Sequence, residues 1–139
     1  MEITERHQFP DLERGRAALQ GLVEAGVGIK LDDAGTGFGG FSYVQELPIG
    51  TLKIDKMFVD TLLRERSDPK REVLDAIIEF ARVAELDVIA EGVETEGQVA
   101  RLGEAGVFAI QGYVYAPPMP AENFISWMKS RSSISAQVV

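Results

Sequence analysis

The sequence predicts an α/β fold built on parallel strands, and three observations carry that reading. Short apolar or β-branched segments alternate with longer stretches of helical periodicity, the pattern of successive βα units. Carboxylates recur at the C-terminal ends of the short segments, where parallel folds gather their functional groups. Apolar residues make up 45% of 139, enough for one domain with a core of its own.

The elements follow in order. MEITE (1–5) reads as a strand that starts at residue one. Asp11 to Ala25 reads as a helix, with Leu12, Leu19, Leu22 and Val23 on one face and Gly26 after it. GVGIKLD (26–32) and GTLKID (50–55) read as strands flanking a short helix, Phe41 to Leu47, that Pro48 cuts off. The strongest helix is Pro69 to Leu86. Its apolar set is Val73, Leu74, Ile77, Ile78, Ala81 and Ala84, with Asp68 as N-cap and Pro69 at the first helical position. LDVIAEG (86–92) is the next strand. A helix then opens at Thr95, where Thr95 and Gln98 have capping-box spacing, and ends near Gly106. FAIQGYVY (108–115) reads as a strand, Ala121 to Lys129 as a closing helix, and residues 130–139 as a frayed polar tail. A (β/α)₈ barrel takes roughly 250 residues, so the chain predicts either a partial barrel or an open sheet.

Composition narrows the function. A formal charge of −8 argues against a nucleic-acid polymer as partner, because phosphate contacts need a basic surface. There is no apolar run of membrane-spanning length and no signal peptide. The absence of Cys rules out disulfides and thiolate zinc sites, in keeping with a cytoplasmic location. His7 is the sole histidine, which leaves carboxylates and lysines to supply acid, base and metal ligands.

Those carboxylates converge. Glu2 lies in the first strand, Asp32 and Asp33 end the second, Asp55 ends the third and Glu91 the fourth, with Lys53 alternating with Asp55. Gathered on one rim they would repel one another, and oxygen-loving Mg²⁺ or Mn²⁺ relieves that conflict without histidine. Each acid taken singly reads better as a helix cap or a solvated loop residue; the combination points to a site. The loop GTGFGG (35–40) also spells G-x-G-x-x-G, with Asp55 about twenty residues on, as a dinucleotide-binding oxidoreductase would have it. Asp32 and Asp33 beside a pyrophosphate, and the short helix behind the loop, count against that reading.

At these residues the sequence resembles a known family. LDDAGTGFGGFSYVQELPIGTLKIDKMFV (31–59), AEGVET (90–95) and QGYVYAPPMP (111–120), with MEITE ahead of them, are similar to the motifs of EAL domains, the cyclic di-GMP phosphodiesterases. The resemblance covers most of the chain and implies a TIM-barrel-like fold. It also implies that two Mg²⁺ or Mn²⁺ ions hydrolyse cyclic di-GMP to linear pGpG. By position, Glu2, Asp32 and Asp33 resemble metal ligands. Lys53 resembles the lysine at the attacking water and phosphate, and Glu91 the general base or a second-metal ligand. Gln111, Asp55 and Glu94 are placed around the substrate, and Glu5 resembles the residue tethering the glycine-rich loop, which governs dimerisation in the family.

The departures are as informative. The Glu-Ala-Leu segment that names the family is absent, as is an asparagine ligand of another early strand. Ala34 stands for the usual aromatic, and Gly39 and Gly40 for small polar residues. Residues 1–129 therefore read as the C-terminal portion of an EAL domain with part of its metal site, inactive alone. Its expected partners are cyclic di-GMP and either a second copy or the missing N-terminal half. The competing reading is a non-catalytic module, derived from an EAL domain, that binds cyclic di-GMP or a partner.

Overall fold

The computed structural model describes residues 1–4, 9–34, 40–64 and 68–135. Glu5, His7 and the glycines at 35, 37 and 39 lie outside them. Five strands, β1 (Glu2–Thr4), β2 (Lys30–Asp32), β3 (Thr51–Ile54), β4 (Asp87–Ala90) and β5 (Ala109–Ile110), form one parallel sheet. Spatial order equals chain order, β1-β2-β3-β4-β5. The helices between them are α1 (Leu12–Glu24), α2 (Gly40–Glu46), α3 (Lys56–Val59), α4 (Pro69–Val83) and α5 (Glu96–Glu104), and α6 (Ala121–Ser135) follows β5. A sheet whose order never reverses has no switch-point crevice of the dinucleotide-binding kind. It is the order of a partial (β/α) barrel.

Local chemistry sets the helix ends. The Asp11 carboxylate accepts the Arg14 N–H at 3.0 Å and starts α1. Gly26, at φ 86°, takes the left-handed turn that releases the chain toward β2. The capping box at α5 is present, with the Gln98 N–H on Thr95 Oγ1 at 3.2 Å and the Thr95 N–H on Gln98 Oε1 at 3.0 Å.

Strand register divides the side chains. Leu31 pairs with Leu52, and Leu52 with Val88, so these side chains share one face of the sheet. Together with Ile54, Ala90, Leu74, Ile77 and Leu102 they belong to the buried core. The intervening residues, Asp32, Lys53 and Ile89, point to the opposite face.

Three expectations are corrected. Val73 and Val23 do not face the core: they are exposed, while Leu74, Ile77 and Ala81 of α4 and Leu19 of α1 are buried. FAIQGYVY is strand only at Ala109–Ile110. Beyond it Val114 N–H donates to Val93 O and Tyr115 N–H to Gly112 O, which folds the segment into turns against the Val93 backbone. The closing helix continues past Lys129 to Ser135.

Candidate active site

The centre of the site is Lys53. Being mid-strand in β3 and on the face opposite Leu52, its side chain is carried inward, where only 8% of it stays exposed. Its ammonium meets three carboxylates: Glu2 Oε1 at 2.9 Å, Asp32 Oδ1 at 3.0 Å and Glu91 Oε1 at 2.8 Å. The acids come from β1, the end of β2 and the residue after β4, so the parallel order delivers them to one point. Burial on its own would lower the lysine pKa, but the contacts that its ammonium makes with the carboxylates of Glu91, Glu2 and Asp32, together with the charge of Glu91, override it and hold it above its ordinary value. Asp32 Oδ1 is buried and, although 3.0 Å from Nζ, accepts no well-aligned hydrogen bond.

The other expected residues fall around this centre. Asp33 follows Asp32 at the strand end and turns the chain with φ 56°, a conformation Asp tolerates. Asp55 accepts the Met57 N–H at 2.7 Å and caps α3, the commonplace role for an acid at a strand end, while still lining the adjoining cavity. Gln111 lines that cavity too, with its backbone bridging Ala90 and Val93. Glu94 stands away from the lysine centre and pairs with Lys56 at 3.2 Å. Glu5 lies outside the described residues.

The cavity, about 750 Å³, opens beside Glu91 and is walled by Lys56, Tyr113, Tyr115, Phe124 and Trp127 among others. Sequence reasoning passed over this wall and Lys56. Signals were present: Tyr113 and Tyr115 alternate in one segment, Phe124 and Trp127 are one helical turn apart, and Asp60 is four residues after Lys56. Lys56 bonds Asp60 at 2.8 Å as well as Glu94, and its stem packs over Gly92. Arg131 stacks on Trp127, 4.9 Å from the ring centre, and on Tyr115 at 5.7 Å, fastening α6 to the loop before it.

The donor set is all oxygen and suits a hard divalent cation, and the buried Asp32 Oδ1, which accepts no well-aligned hydrogen bond, offers such a cation an acceptor. Among the described residues, however, no three acidic groups lie close enough together to share a metal as they stand. The carboxylates are spaced around an ammonium at 2.8 to 3.0 Å, whereas Mg²⁺ requires about 2.0–2.1 Å. The residues fit the ion in chemistry, and Lys53 sits where it would go.

Comparison with known proteins identifies the family. The family model described as EAL domain matches residues 1–118. Cyclic di-GMP phosphodiesterase PdeL of Escherichia coli is 38% identical over 126 residues, 91% of this chain and 34% of that protein. The chain thus spans about a third of that relative's length. Among solved structures, the EAL domain of Mycobacterium smegmatis DcpA superposes with a TM-score of 0.83 at 33% identity, covering 93% of this chain and 57% of that one. The PaMucR phosphodiesterase in complex with c-di-GMP gives 0.77 at 36% identity, covering 88% and 49%. The family-model match spans well over half of the sequence, and this chain belongs to the EAL domain family.

Proposed function

We propose that this chain provides the C-terminal part of a site that hydrolyses cyclic di-GMP to linear pGpG. One observation carries the reading: Glu2, Asp32 and Glu91, from three separate elements, meet at the buried ammonium of Lys53. Such convergence of like charge is costly for stability alone and is what a phosphodiester-cleaving centre requires. Two divalent cations, Mg²⁺ or Mn²⁺, would be held by Glu2, Asp32 and Asp33, and would supply an activated water and neutralise phosphoryl charge. Lys53 donates to a phosphoryl oxygen, and Glu91 accepts the proton of the attacking water. Gln111, Asp55 and the aromatic wall lie on the side of Glu91 where the rest of a large ligand would rest. Two relatives, the cyclic di-GMP phosphodiesterase PdeL and the PaMucR phosphodiesterase in complex with c-di-GMP, support this assignment.

The 139 residues contain no Glu-Ala-Leu segment. By itself the chain therefore brings part of the ligand set, and turnover by it alone is negligible, since misplacement of about an ångström costs on the order of a hundredfold. Residues 1–129 act with a complementary N-terminal half, or pair with a second copy across the open strand edges. The test is pGpG formation resolved by chromatography. Joined to a complete N-terminal half the chain yields pGpG, and Asp32→Asn, Lys53→Ala or Glu91→Gln abolishes it. An inactive joined protein would reject catalysis and leave a binding module.

A further inference from the structure

We propose that Lys53 is the resident counter-cation of this site, and that a divalent ion enters by displacing its ammonium rather than by filling a vacant cage. The inference rests on the metal reading given above. The Lys53 ammonium lies within 3.0 Å of three carboxylates, so its positive charge is directed at the acids of the site. Glu2 and Asp32 stand at ammonium distances, 2.9 and 3.0 Å, and must close by about 0.9 Å to reach Mg²⁺ contact. That contraction leaves no room for Nζ between them, and a dication and an ammonium at one point repel.

The charge balance favours the exchange. One ammonium among three carboxylates leaves a net −2 in a partly buried setting, which a divalent ion offsets better. Asp32 is the contact that gives way first, because its Oδ1 takes no aligned hydrogen bond from the ammonium. Once released, the lysine keeps a partner in Glu91, at the mouth of the cavity. The lysine thus holds the acids together in the metal-free protein and lowers its affinity for metal.

Two measurements test this. By calorimetry, Lys53→Met binds Mn²⁺ at least about tenfold more tightly than the unaltered chain, and Asp32→Asn weakens binding in both backgrounds. In the unaltered chain, residue-resolved amine acylation followed by mass spectrometry shows Lys53 protected without metal. Saturating Mn²⁺ then raises its labelling several-fold relative to Lys56. The labelling experiment decides alone if Lys53→Met lacks a cooperative melt. Equal, weaker or undetectable Mn²⁺ binding by folded Lys53→Met, or Lys53 labelling that Mn²⁺ leaves unchanged, overturns the displacement. Mn²⁺ binding that Asp32→Asn leaves intact rejects the metal site itself, a separate failure.

Discussion

Lys53 Nζ and Glu91 Oε1 stand 2.8 Å apart, one in the interior of β3 and the other just past the end of β4. The contact fastens neighbouring strands at the rim where the site lies, and it makes stability depend on pH in a definable window. Burial lowers the lysine pKa, but Glu91, Glu2 and Asp32 outweigh it, so the folded value lies above the ordinary 10.5. A group with a raised folded pKa contributes stability that is complete below its unfolded value and is lost as pH rises through the folded one. The Lys53 contribution is therefore constant from about pH 7 to about pH 10 and fades at higher pH. Thermal melts of the unaltered chain and of Lys53→Met should differ by a constant amount over the lower range and converge above it. Because Glu2 is half-exposed, the difference is about 1–3 kcal/mol, less than a fully buried pair would give. A gap that widens with alkaline pH would contradict the assignment.

Gly92 and Gly112 fix the backbone next to Glu91. Gly92 has φ 65°, and an added Cβ would lie 2.6 Å from the Lys56 Cβ. At Gly112 it would overlap the Val93 carbonyl, a backbone atom that has no rotamer to yield. Gly92→Ala and Gly112→Ala should each destabilise by about 1–3 kcal/mol in chemical denaturation. Gly50→Ala, with open space around the new methyl, should change little.

Helix α4 distinguishes adjacent residues. Leu74 is fully buried, whereas Val73 is 45% exposed. Leu74→Ala should cost about 2–5 kcal/mol through the cavity it leaves. Val73→Ala should stay within about 0.5 kcal/mol. Urea unfolding of both variants checks which face of the helix meets the sheet.

Much of this was legible in the sequence because parallel βα units repeat one local rule. Asp11, the Thr95–Gln98 box and Gly26 act through contacts within a few residues, and all three lie where their spacing predicts. The acids at the ends of β2 and β4 were readable for the same reason. What periodicity could not give depends on distant partners. Val73 fits the apolar stripe of α4 as well as Leu74 does, and only the position of the sheet decides between them. Tyr113 and Val114 have strand composition, yet the Val93 carbonyl draws Val114 into a turn. The motif at Asp55 suggested chemistry, and the structure gives its carboxylate a cap to hold. That Lys53 occupies the middle of the carboxylates, rather than their edge, follows from three registers at once and from no single stretch of sequence.

The central claim is that Glu2, Asp32, Lys53 and Glu91 form one cation-holding centre. Titrating Mn²⁺ into the isotope-labelled chain and following amide resonances tests it most directly, because paramagnetic broadening reports distance even when binding is weak. The amides of Glu2, Asp32, Asp33, Lys53 and Glu91 should broaden together at the lowest Mn²⁺ additions, with Leu74 and Leu102 unaffected, and Asp32→Asn should shift the effect to higher concentrations. Broadening centred elsewhere, or surviving Asp32→Asn unchanged, would contradict it.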